Sequence, residues 1–121
     1  MKSINFSHNW NGKLDLPIFT TIRLSSGRNY KVGDKVSFTI GKSPQNRRVL
    51  GVADIASVLE LYIWDLTDDI CMMDTGYSRE VTVRMIQTMY KNKVSNWNKQ
   101  KLVIYTCKVT GRYPKVQKSL F

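Results

Sequence analysis

The strictest constraint on this chain sits near its C-terminal end. Across residues 101–109, Val103, Tyr105, Cys107 and Val109 alternate with Leu102, Ile104, Thr106 and Lys108. Successive side chains of a strand point to opposite faces, so this spacing predicts a β-strand. Val36, Phe38 and Ile40 alternate in the same way with Lys35, Ser37 and Thr39, which predicts a second. Between the two lies sequence that is partly helical in period. The late strand has to return to the early ones. That order predicts an α+β chain, a small mixed β barrel with helices packed at its side.

The other elements follow from local signals. Residues 3–6 read as a short first strand and 10–13 as a helical turn that Asp15-Leu16-Pro17 ends. Residues 18–24 are β-rich. Tyr30 to Asp34 is a turn in which Gly33 is free to take a positive φ. Residues 48–61 read as one long or bent strand, or as two. Asp65, Asp68 and Asp69 place acids at a helix N-terminus, and Gly76 stops that helix. Ser78 caps a second helix whose apolar face holds Val81, Met85, Ile86, Met89 and Tyr90. The chain of 121 residues suits one core. We expect a single domain over 1–110 and a basic C-terminal tail over 111–121.

Charge is distributed unevenly. The net charge is +10, and from Val81 onward there are nine basic residues and no acid. Residues 1–80 hold ten basic and nine acidic residues, close to balance. A one-sided field attracts polyanions, and nucleic acid is the obvious partner, RNA first and DNA as the alternative. Lys91, Lys93, Lys99, Lys101 and Arg112 are expected to form the backbone track; a solvated basic face is the plainer explanation. An acidic protein partner is the remaining possibility. No apolar run is long enough for a membrane span and the N-terminus lacks a signal-peptide core, so a cytoplasmic protein is expected. Cys71 and Cys107 read as two buried thiols. With His8 they match no zinc spacing, so neither a metal nor a cofactor is expected.

Several motifs are too weak to carry chemistry. Gly41-Lys42-Ser43 lacks the earlier glycine of a phosphate-binding loop, since that position is Val36. His8 has no serine in a nucleophile elbow to serve. Thr20, Thr21 and Arg23 are more informative. Adjacent threonines on a strand face opposite sides, so one hydroxyl points inward and needs a partner. An inward Arg23 would need Asp74 or Asp34. Asp74-Thr75-Gly76-Tyr77 is a helix stop that could also set Asp74 at a pocket mouth. Trp10 and Trp97 sit in polar settings and are candidates for stacking on bases.

Taken together, Thr20-Thr21-Ile22-Arg23, Tyr30-Lys31-Val32-Gly33-Asp34-Lys35-Val36, Gly51-Val52-Ala53-Asp54-Ile55 and Asp74-Thr75-Gly76-Tyr77 resemble the ASCH domain, a branch of the PUA-like superfamily. The likeness runs in order over roughly residues 3 to 109. It implies a pseudo-barrel of five to six strands with flanking helices, and a cleft beside the Thr-Ile-Arg segment that binds RNA or a modified nucleoside. One small bacterial branch hydrolyses N4-acetylcytidine with a lysine, a threonine and a glutamate. Carried across, the threonine falls on Thr21 and the acid near Asp74. The lysine position is Ile18, a departure from the pattern, and Lys13 is the available substitute.

These readings give two functional expectations. The first is RNA or modified-nucleotide binding through Thr20, Thr21, Arg23, Ser25, Asp74, Tyr77 and Trp10. The second is an amidohydrolase using Thr21, Asp74 and Lys13. The first is favoured, because isoleucine at the lysine position cannot act as a base.

Overall fold

The computed structural model describes residues 1–113; the rest of the expected basic tail lies outside the described residues. Five strands, β1 (Lys2–Phe6), β2 (Ile18–Leu24), β3 (Lys35–Ile40), β4 (Arg48–Tyr62) and β5 (Lys101–Arg112), form one sheet in the order β1-β3-β4-β5-β2. Strands β1 and β3 are parallel and every other neighbouring pair is antiparallel. A 3₁₀ turn (Trp10–Asp15) joins β1 to β2, and helices α1 (Asp68–Thr75) and α2 (Arg79–Met89) lie between β4 and β5. The α+β class expected from the sequence is the one observed.

The alternation in β5 explains how the layers are held. Val103, Tyr105 and Cys107 enter a core with Ile4, Phe6, Phe19, Val36, Phe38 and Ile55. Leu102 and Ile104 point the other way, into a second core with Ile63, Leu66, Cys71, Val83 and Ile86. One face of β5 is covered by the curl of its own sheet and the other by the helices. Each such side chain removed from water contributes about 1.5–3 kcal/mol.

The curl has local causes. Strand β4 shifts register against its neighbours at Phe38/Thr39, Val52/Ala53 and Ile55/Ser57, and each irregularity bends the strand. Gly51 permits the tightest approach. A Cβ there would meet the Phe38 ring at 3.0 Å and collide with the Gly111 carbonyl oxygen. The two ends of the sheet, β1 and β2, consequently come near each other. Phe6 packs edge-on against Phe19 at 5.7 Å between ring centroids, and Phe19 against Phe38 at 5.2 Å. No ladder joins β1 to β2 among the described residues. The result is a half-barrel with an open seam.

The helix ends match their sequence signals. Thr67 Oγ1 accepts from the Ile70 N–H and Ser78 Oγ from the Val81 N–H, each cap being worth about 1 kcal/mol. Gly76 ends α1 with φ 80°. Two expectations need correction. The strand β5 does not stop at 109: Gly111 and Arg112 still pair with Val52 and Gly51, so the ladder crosses the expected tail boundary. The apolar stripe of α2 is also split. Ile86 enters the core with Thr82 and Val83, whereas Val81, Met85 and Tyr90 are half-buried and Met89 is exposed. Among the described residues no helix is long and apolar enough to cross a membrane.

Candidate functional site

The seam holds a cavity of about 250 Å³. One lip is β1, through Asn5 and Phe6; the other is β2, through Thr21 and Arg23. The 3₁₀ turn supplies Trp10 and Lys13, α1 supplies Asp74, and α2 closes one side with Met85, Ile86 and Met89 and with Tyr90 at its C-terminal cap. Thr21 and Arg23 share a face of β2 because they are two residues apart.

Polar groups in the seam are already organised. Lys13 Nζ donates to Asp74 Oδ1 at 3.0 Å, and Thr20 Oγ1 donates to the same oxygen at 2.9 Å. Lys13 is 3% exposed and Asp74 5%. Arg23 spans the opening: Nε donates to Thr21 Oγ1 at 3.1 Å and Nη2 to the Asn5 carbonyl at 2.7 Å. The Phe6 ring supports both cations, with Arg23 Cζ 4.8 Å and Lys13 Nζ 5.5 Å from its centroid. A cation over an aromatic face gains about 0.5–2 kcal/mol.

Burial pushes the Lys13 ammonium below the ordinary lysine value; Asp74 opposes this, while the Arg23 charge reinforces it. Burial also pushes the Arg23 guanidinium down, from a starting point so high that it stays charged. Cys107 has its thiol pushed up to about 11 by burial, against the opposing charges of Arg23 and Lys13. It is packed as a core residue. Among the described residues, no three His, Cys, Asp or Glu side chains gather as a cation site.

The structure sorts the expected residues. Thr21, Arg23, Asp74, Lys13 and Trp10 come together in one cavity. Lys13 reaches it from the 3₁₀ turn, while Ile18 is half-exposed and outside it. Thr20 faces away from Thr21 and touches the site only through Asp74. Arg23 is not paired with Asp74 or Asp34; the latter accepts from Lys2 Nζ and the Lys31 N–H. Ser25 does not line the cavity: it is tied to Glu60 and Asn29 beyond the end of β2. Tyr77 does not line it either; it follows the Gly76 turn and is exposed.

The basic track is corrected too. Arg112 is engaged, donating from Nη1 to the Leu14 carbonyl and from Nη2 to the Leu16 carbonyl, both at 2.7 Å. The twelve residues of β5, at about 3.3 Å each, put it roughly 35 Å from Lys101. Lys91, Lys93, Lys99 and Lys101 are exposed around the loop after α2. Trp97 in that loop packs against the second core and is no free platform. The sequence reading missed Asn5, Phe6, Met85 and Met89 as cavity residues. The one hint was apolar excess on α2 beyond what a core stripe needs.

No family model matches this chain, and no curated protein matches it. A solved structure is similar: protein EF3133 from Enterococcus faecalis V583, described with the family DUF984. The two share 13% identity with a TM-score of 0.59, over 88% of this chain and 72% of that one. At this identity the likeness is one of fold, and it supports the half-barrel architecture.

Proposed function

We propose that the seam cavity holds a single base of RNA, or a modified nucleoside, in an ASCH-type domain of the PUA-like class. The observation that carries this is the meeting of Lys13, Thr21, Arg23 and Asp74, from three separate segments, on one cavity of about 250 Å³. Drug-sized pockets span about 300–1,000 Å³, so this one suits a single small ring system. Arg23 and the Thr21 hydroxyl offer donors and Asp74 offers an acceptor, as the edge of a base requires. The apolar residues of α2 and Phe6 suit its faces. Lys91, Lys93, Lys99 and Lys101 would attract the phosphates. The Thr-Ile-Arg resemblance points to the same ligand class.

Calorimetric titration with short RNA, matching DNA, the standard nucleosides and N4-acetylcytidine tests this reading. Arg23→Gln should weaken binding by about tenfold or more, the worth of a charge-assisted hydrogen bond, and Thr21→Val by a few-fold, about 0.5–1.5 kcal/mol for a neutral one. Folded variants that bind as the wild type does, or a wild type that binds none of these ligands, would overturn it. Capture of an acidic protein with no nucleic-acid binding would favour a docking role instead.

A second reading is favoured by one observation, the buried Lys13 in the same cavity as Thr21. Burial shifts the balance of this lysine toward the neutral amine, the form that can act as a base. Such an amine could take a proton from water as the oxygen adds to an N4-acyl carbonyl. The C–N bond then breaks, the proton passes to the departing amino group, and a carboxylic acid and cytidine result, the acid releasing its remaining proton to solvent. Arg23 would stabilise the oxyanion. Release of acetate from N4-acetylcytidine, lost in Lys13→Met and Thr21→Ala, is the expected outcome; no release removes this reading.

A further inference from the structure

A second hollow, of about 610 Å³, runs along α2 and is lined by Trp10, Val81, Arg84, Met85, Thr88 and Met89. Trp10, Met85 and Met89 also line the seam cavity, so the two spaces adjoin. Their shared wall is the part of the α2 apolar stripe that the core leaves outside: Met89 is 57% exposed while Ile86, three residues earlier, is buried. The Trp10 ring is braced edge-on by His8 at 4.8 Å between ring centroids. Arg84 stands at the rim, where among the described residues its ion pairing is an exposed 3.5 Å contact with Glu80.

We infer that this hollow is a second subsite, for the base next to the one in the seam. The ligand is then a dinucleotide step of single-stranded RNA and not an isolated nucleoside; the inference rests on the seam reading above. A ring resting on Trp10 between two methionines gains stacking and soft sulfur contacts that tolerate any base. The linking phosphate falls to Arg84, a donor that suits phosphate geometry. A seam that gathers Lys13, Thr21, Arg23 and Asp74 beside a shelf lined mainly by apolar side chains assigns different tasks to the two: the seam selects, and the shelf adds affinity.

Titration of the standard ribonucleosides, and of every ribodinucleotide built from them, tests the subsite. The best dinucleotide should bind at least about tenfold more tightly than its best component nucleoside, the scale of one stacked base. Thr88→Glu and Arg84→Glu alter exposed residues that line only the second hollow. Each should remove most of the dinucleotide advantage and leave nucleoside binding as it was. Nucleoside binding with no dinucleotide advantage, or an advantage that survives both variants, overturns the subsite and leaves the seam reading standing. If neither nucleosides nor dinucleotides bind, both fall together.

Discussion

Lys13 and Asp74 stand 61 residues apart in the chain, yet Lys13 Nζ lies 3.0 Å from Asp74 Oδ1 with both side chains closed to solvent. The pair locks the 3₁₀ turn to the end of α1, and the Thr20 hydroxyl shares the same oxygen. Breaking a buried pair from one side leaves the other charge stranded and costs about 3–5 kcal/mol. Asp74→Leu is expected to fall in that range by urea denaturation. Lys13→Met should cost less, because Asp74 keeps Thr20. The double variant should recover a large part of the loss. Single variants that both stay within about 0.5 kcal/mol of the wild type would show the pair to be incidental.

Alkaline pH separates two buried groups with opposite signs. The folded Lys13 value lies below 10.5. Between that lowered value and 10.5 the unfolded chain carries the proton and the folded chain has lost it, so stability rises with pH across the window. Cys107 runs the other way: between 9.0 and about 11 the folded chain keeps a thiol proton that the unfolded chain has given up. Stability then falls with rising pH, by about 2–3 kcal/mol over the whole interval. Unfolding free energies against pH should show the wild type losing ground to Cys107→Val and gaining on Lys13→Met. Parallel curves for all three would contradict both assignments.

Arg112 holds the segment that delivers Lys13, through the carbonyls of Leu14 and Leu16. Arg112→Ala should cost about 1–2 kcal/mol and raise amide hydrogen exchange across residues 10–16. The salt dependence of RNA binding should keep its slope in this variant. Charge reversal at Lys91, Lys93 and Lys99 together should flatten that slope, since each phosphate of a single strand no longer neutralised by a lysine takes about 0.7 unit from it. A flattened slope in Arg112→Ala, with the triple variant unchanged, would place the phosphate track at the opposite end of the sheet.

Gly76 joins the end of α1 to the seam. Its φ is 80°, and a Cβ there would come 2.9 Å from the Asn11 side chain. Gly76→Ala is expected to lower stability by about 1–2 kcal/mol, from backbone strain at positive φ and displacement of Asn11. Thermal unfolding measures this. A melting temperature equal to that of the wild type would mean that the turn relaxes freely.

Much of the fold was legible because local rules and tertiary structure agree here. The alternation in β5, the Ser78 cap and the Gly76 stop all stand where the residues suggest. The site was half legible. Thr21 and Arg23 share one face by strand geometry alone, and Asp74 sits where a helix ends. Three things were not. Asn5 and Phe6 reach the site because β1 pairs in parallel with β3 and the sheet curls, and no local signal encodes a curl. Ser25 and Tyr77 adjoin site residues in sequence, yet the end of β2 and the turn after α1 carry them outward. Arg112 looks exposed by its position, but backbone carbonyls of a segment nearly a hundred residues earlier claim its guanidinium.

The unpaired lips of the barrel have a consequence for how such a molecule can change. Strands joined by a ladder are spaced by backbone geometry, and substitutions barely move them. Here the aperture is spanned by Arg23 reaching to Asn5 and by rings meeting across the gap. Its width is therefore written in side chains. Selection, or an engineer, could widen or narrow the mouth one residue at a time and admit a different guest, while every hydrogen-bonded strand pair of the scaffold stayed in place.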